Sequence, residues 1–356
     1  MKKNEIELLK KLISVPSPSG FEEKIARFIK SELKSSCPNL KVITDFQNNV
    51  IVKIQGIKDV NVVIDAHLDE IGFMVTNISR DGLISVGYLG GGDISILSAR
   101  QLTILTDKGE VNATVVRKPP HLVYQESEEN IDRIHEAQVD VGSRDRNTVL
   151  NNVKIGDPIV YKSHFYKLLG DYYSGYGFDD KAGCWVLLET IKDIIKSKKK
   201  PPVNLIFVFS SQEETSTKLK PIIREYQPKL VTSVDVTFAT DYNWGEELDI
   251  EVGECNLSNG VVIYRGLDLN KKGILLLENI AKVNDIPFQT QANLEPGGFT
   301  ALMVTDQCQG VRALVLGIPL RNMHTPVETI HLNDIKYAKK LLFKFLTSKE
   351  IINVIK

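Results

Sequence analysis

Four apolar runs in this chain each give way to a histidine or an acid. Residues 60–66 lead into His67 and Asp69, and residues 203–210 into Glu213 and Glu214. The run 231–234 ends on Asp235, and 311–316, followed by a turn through Pro319, precedes His324. Short apolar runs bounded by polar or turn residues read as buried strands. In open α/β sheets, groups just beyond the carboxyl ends of the strands converge on one crevice, even when ~250 residues separate them. The pattern therefore calls for an α/β sheet whose strand ends share a site.

The remaining texture divides in two. Ile6, Leu9, Leu12 and Ile13 fall on one helical face, and Ser19 to Glu22 have capping-box spacing ahead of a second amphipathic helix through Phe21, Ile25, Phe28, Ile29 and Leu33. Strands are expected over 49–54 and 60–66. From about 69 to 163, short β-rich runs (72–78, 83–86, 101–106, 110–116) are broken by Gly, Asp-Gly and Pro-Pro, the spacing of a small all-β domain. The charged stretch 126–136 reads as a mobile surface loop. Strand–helix alternation returns after Gly170, with strands at 203–210, 231–236 and 311–316 and helices at 184–195, 275–283 and 334–346. We therefore expect an α/β catalytic domain interrupted once by a β insertion.

Two imidazoles and several carboxylates, with no thiol among them, are the donor set of a hard-to-borderline divalent cation. A fifth cluster, Asp179-Asp180, precedes a helix, where a carboxylate meets the positive helix end. A single zinc needs three protein ligands. Five or six candidates converge here, and so many acids repel one another unless cations neutralise them. Two ions bridged by one carboxylate, ~3.5–4 Å apart, fit that number. Asp69 is placed to orient the ring of His67. Of the adjacent Glu213 and Glu214, one can bind metal while the other takes a proton from water. Each signal is weak alone: a His-x-Asp can be a strand end, Glu-Glu a solvated loop, Asp-Asp a helix cap. Their shared placement gives them weight. His121, His135, His164 and His331 lack it and read as structural.

Composition narrows the partners. Net charge is −1, so nothing draws the chain toward nucleic acid or an anionic membrane. The basic run 196–200 reads as a solvated helix end before Pro201-Pro202. No run approaches the ~18–20 apolar residues of a membrane span, and the start leads into an amphipathic helix rather than a signal core. Cys37, Cys184, Cys255 and Cys308 are scattered and read as reduced thiols. A cytoplasmic location is expected.

The chain resembles the glutamyl aminopeptidase family of dimetal peptidases, which includes the tetrahedral and deblocking aminopeptidases. The resemblance rests on Ser17-Pro18-Ser19-Gly20-Phe21-Glu22, Ala66-His67-Leu68-Asp69-Glu70-Ile71-Gly72-Phe73, Phe178-Asp179-Asp180-Lys181-Ala182-Gly183, Ser211-Gln212-Glu213-Glu214, Val234-Asp235-Val236-Thr237 and Pro319-Leu320-Arg321-Asn322-Met323-His324-Thr325-Pro326-Val327-Glu328. It covers nearly the whole chain in order. It implies a phosphorylase/hydrolase-like α/β domain, 1–67 with 167–356, whose mixed sheet is flanked by helices. A β-barrel dimerisation domain, 68–166, is inserted in it. It implies His67 and Asp235 as ligands of one metal, Glu214 and His324 of the other, and Asp179 as the bridge. Glu213 is then the general base and Asp69 the residue orienting His67. Two zinc or cobalt ions per subunit, short peptide substrates and dimers assembling into a tetrahedral dodecamer are also implied.

Two places depart from the family pattern: Thr215 to Lys220 after the glutamates, and Gly297-Gly298-Phe299-Thr300-Ala301 where the family often has Gly-Gly-Thr-Asp-Ala. They motivate one rival reading, a catalytically impaired assembly protein. An endoglucanase-type glycoside hydrolase is another, and a dimetal deacylase or carboxypeptidase a third.

Overall fold

The computed structural model describes residues 3–122, 133–242, 250–294, 298–305 and 310–356. Most of the charged stretch, residues 126–132, lies outside them, as do Trp244, Gly297 and Cys308.

In chain order, helices α1 (Lys3–Ile13) and α2 (Glu23–Ser36) precede strands β1 (Val42–Thr44), β2 (Val50–Ile54) and β3 (Lys58–His67). Six strands follow: β4 (Gly72–Ile78), β5 (Ile84–Leu89), β6 (Gln101–Thr106), β7 (Gly109–Val115), β8 (Gln138–Asp140) and β9 (Pro158–Tyr161), with a short α3 (Arg146–Leu150) before the last. Next come β10 (Phe165–Lys167), β11 (Tyr172–Gly175), α4 (Phe178–Ser197), β12 (Val203–Ser210), α5 (Leu219–Tyr226) and β13 (Leu230–Phe238). The chain closes with β14 (Val261–Gly266), α6 (Lys271–Val283), β15 (Phe288–Asn293), α7 (Thr300–Thr305), β16 (Arg312–Leu320), β17 (Glu328–His331), α8 (Leu332–Thr347) and α9 (Ile351–Ile355).

The main sheet has eight strands in the order β1-β2-β12-β3-β13-β16-β14-β15. Its central four, β12, β3, β13 and β16, run parallel, so their carboxyl ends share one edge. Register is tight there: Ser210 pairs with His67, and Asp235 with Gly317. β12 is buried at every position, as an apolar strand covered on both faces must be. Trp185, Leu188 and Ile191 of α4 and Leu341, Leu342 and Phe345 of α8 lie in the same core.

Strands β4-β5-β8-β7-β6-β9 close into an antiparallel barrel, sealed where Phe73 pairs with Ile159. It has a core of its own around Phe73, Val75, Ile104, Val139 and Tyr161. Closure removes the edges that short strands would otherwise expose. The fold class read from the sequence is the one observed, a helix-flanked mixed sheet plus a small β-barrel.

Local details differ from expectation. Ser19 does not cap α2: its hydroxyl pairs with that of Thr215 at 2.9 Å, while Glu22 reaches back to the Gly20 N–H (2.7 Å) and across to Gln212 N–H (3.1 Å). Capping-box spacing here serves a long-range contact. Strand β14, between β16 and the edge strand β15, and the small sheet β10-β11-β17 are further elements beyond those read from the sequence. Lys198 ends α4 in the left-handed region, and the basic run beyond it is exposed as expected.

Candidate metal centre

Every residue singled out for the site lies along the shared carboxyl edge. His67 is the last residue of β3; Asp235 sits near the end of β13; Glu213 and Glu214 follow β12; His324 lies in the turn between β16 and β17. Asp179 is in the first turn of α4, which packs against β3 and β13. The approach is close: a side chain on Gly183 would run into the carboxylate of Asp180 and the carbonyl of Val234. The Asp179–Asp180 peptide is cis.

Asp179 lies at the centre of the cluster. Its Oδ1 is 3.0 Å from His67 Nε2, and its Oδ2 is 3.3 Å from His324 Nε2. One carboxylate thus turns a different oxygen to each imidazole. His67 Nε2 also lies 3.7 Å from Asp235 Oδ1, and His324 Nε2 lies 3.3 Å from Glu214 Oε2. Among the described residues, potential ligand atoms of His67, Asp179 and Glu214 lie within 4.8 Å of one another, as do those of His67, Asp180 and Asp235.

Behind these groups, other side chains hold backbone. Asp69 accepts from the Glu213 N–H at Oδ1 and the Glu214 N–H at Oδ2, both at 3.0 Å, while its carbonyl lies 3.0 Å from His67 Nδ1. Its carboxylate thus holds the glutamate loop, while the ring of His67 meets its main-chain carbonyl more closely than its carboxylate, which is 3.5 Å away. Asp180, which sequence reasoning left without a role, accepts from Gly183 N–H (2.9 Å) and from His67 N–H (3.3 Å). Those bonds engage both oxygens and tie the start of α4 to the end of β3. Of the histidines read as structural, His331 caps α8 through Asn333 N–H.

A buried ion pair braces the same region. Lys181 Nζ lies 2.6 Å from Glu70 Oε2 and donates to the carbonyl of Val15 (2.8 Å), while Glu70 Oε1 accepts from Ser17 N–H. Both charges are fully buried. Removing one partner leaves the other uncompensated, which costs about 3–5 kcal/mol. Lys181→Met should lower unfolding stability by that amount in urea titrations of the metal-free protein; a change under 1 kcal/mol would mark the pair as dispensable.

The electrostatics show a shortage of positive charge. Burial, and then the neighbouring Asp179, push Asp235 up to about 8, despite the opposing pull of His67. Burial also raises Glu213 well above the carboxylate range. Burial lowers His324, but hydrogen bonds to Asp179 and Glu214 outweigh it and lift the imidazole to about 11. Asp179 goes the other way: burial raises it, yet His324 and His67 hold it well below its usual range. Acids that resist ionising and imidazoles that resist losing a proton are the signature of a cluster suited to cations. Glu214 Oε1 is buried without a hydrogen-bond partner, an acceptor left over for a metal. The oxygen and imidazole donors fit a divalent metal ion.

The cluster opens onto a cavity of about 470 Å3. Its far walls are largely apolar, including Val236, Phe238, Tyr264 and Phe299, with Tyr264 and Phe299 in edge contact at 4.8 Å. The departing Phe299 therefore lines the cavity, and Thr300 beside it bonds the buried Asp65 of β3.

Comparison with known proteins identifies the family. The family model of M42 glutamyl aminopeptidases matches residues 48–341. The lysyl aminopeptidase of Pyrococcus furiosus is 30% identical over 345 residues, covering 94% of this chain and 96% of its own length. The crystal structure of a TET aminopeptidase from a marine sediment archaeon of the Thaumarchaeota superposes with a TM-score of 0.89 at 25% identity, over 99% of both chains. The TET1 peptidase of Pyrococcus horikoshii, which can assemble into a tetrahedron or a large octahedral shell, gives 0.84 at 28% identity over 97% and 99% of the chains. With its strand-end cluster, inserted barrel and these likenesses over nearly its full length, the chain belongs to the M42 glutamyl aminopeptidase family of metal-dependent peptidases.

Proposed function

We propose that the protein removes N-terminal residues from short peptides at a dinuclear centre. The observation that carries this reading is Asp179, whose two carboxylate oxygens face two different imidazoles. In it His67 and Asp235 would hold one ion and Glu214 and His324 the other, with Asp179 the carboxylate available to both. When bound, two divalent cations of the zinc or cobalt type lower the pKa of a water and polarise the scissile carbonyl. Glu213, on the cavity wall beside them, takes the proton from the attacking water and returns it to the leaving amine. Asp69 keeps Glu213 and His67 in place through the bonds described above. The substrate's first side chain lies against the apolar wall of Val236, Tyr264 and Phe299, and its free amine beside the acids.

The likeness to shell-forming peptidases supports a homo-oligomer, in which the inserted segment 68–166 makes dimer contacts and twelve subunits form a tetrahedron. Balanced charge supports the absence of a nucleic-acid or membrane partner, and the scattered cysteines support a reducing compartment such as the cytoplasm. No described helix is long and apolar enough to cross a membrane. A glycoside hydrolase would use two carboxylates flanking a sugar, whereas the acids here gather around two imidazoles, the donor set of a metal site.

The test is release of amino acid from a panel of aminoacyl chromophores and di- to tetrapeptides after dialysis against zinc, cobalt or manganese. Chelation should abolish release, and peptides with a blocked amino end should resist. No release from any free-amine substrate by the metal-loaded protein would sink the reading. Cleavage of blocked peptides would redirect it to a deacylase or carboxypeptidase.

A further inference from the structure

Glu328, the first residue of β17, is 1% exposed and touches both halves of the cluster from behind. Its Oε2 accepts from the backbone N–H groups of Gly177 (3.0 Å), Phe178 (2.7 Å) and Asp179 (3.3 Å). Its Oε1 accepts from His324 N–H (3.2 Å). One buried carboxylate thus gathers four donors from two loops about 150 residues apart, each loop bearing one group of the cluster. The need for such a clamp is local. His324 sits at φ 60° and Asn322 at φ 58°, a backbone region that side chains rarely adopt. Asp179 and Asp180 depart from helical geometry at the head of α4. Neither segment is a regular run of helix or strand at these residues, so the backbone N–H groups of Gly177 to Asp179 and of His324 need acceptors from elsewhere.

We propose that Glu328 is a positioning residue that sets Asp179 and His324 at a fixed separation and so governs occupancy of the second cation site. The proposal rests on the dinuclear reading above. The chemistry requires a carboxylate, because all four neighbours are donors and both oxygens must accept. A glutamine of the same shape has one oxygen only. Three of the donors lie on the Asp179 side, so the amide oxygen turns there and its NH2 meets the N–H of His324. Donor then opposes donor, and the His324 turn is released while Asp179 keeps its hold. The effect falls on one ion rather than on the fold as a whole.

The experiment is titration of the metal-free protein with cobalt(II), followed by calorimetry and by the visible absorption of each equivalent. In Glu328→Gln the first cobalt should bind as in the unaltered protein. The second should bind about 10–100-fold more weakly, the usual consequence of losing a group that orients a ligand, with its absorption band altered. Glu328→Asp keeps two acceptor oxygens on a shorter arm and should recover part of that loss. Two ions bound with unaltered affinities in either folded variant would overturn the proposal. So would equal weakening of both ions, or failure of both variants to fold, because each makes Glu328 a residue of stability alone. A single ion in the unaltered protein would instead refute the dinuclear reading, before any variant is made.

Discussion

Asp179→Ala is expected to leave a folded chain that retains less than one cation and has no measurable peptidase activity. Both oxygens of Asp179 are committed, one toward each imidazole, and the side chain is buried. Loss of an ordinary ligand weakens one ion, whereas loss of a shared one removes a contact from both and leaves them repelling without an intervening anion. The metal-free fold loses the carboxylate that pairs with both imidazoles, so the variant should melt below the unaltered chain while staying folded at ordinary temperature. Elemental analysis after gel filtration, with thermal unfolding of the metal-free form, separates the two effects. Two ions retained per chain would remove Asp179 from the bridging position.

Glu213→Gln is expected to produce the opposite profile: two ions kept, and turnover lowered by ~10²–10⁴-fold. The substitution keeps the shape of the side chain and the Glu213 N–H bond to Asp69, so the loop should stay where it is. Only the ability to take and return a proton is lost. Because that ability matters in the transition state, kcat should fall while KM changes little. Steady-state kinetics on a saturable peptide, with metal content measured on the same sample, provide the check. A variant keeping half its activity would exclude Glu213 as the base.

Much of this site was legible because its parts lie where apolar runs stop. His67, Asp69, Glu213, Glu214, Asp235 and His324 could be found that way, since a central parallel strand is a solid apolar block and its end is abrupt in sequence. The parallel sheet then fixes which ends meet. The groups behind them were not legible. Asp180, Glu22 and Glu328 act through backbone N–H groups of distant loops, and a backbone donor leaves no residue-type signature. Glu22 also suggested a helix cap, since its spacing to Ser19 suits a local bond as well as the distant one it makes. The edge strand β15 was missed because it mixes polar and apolar residues without a clear period, whereas β14 begins with the apolar run Val261 to Tyr264 that a strand reading could have taken up.

The order in which the strands contribute has a temporal consequence. His67 leaves the ribosome long before Glu214, Asp235 and His324, whose strands must align beside β3 or, for β16, beside β13. A growing or truncated chain that lacks the His324 turn holds an unfinished donor set, and under the proposed dinuclear reading it has no peptidase activity. The donor set is thus complete only after the chain beyond β16 has taken its place at the sheet.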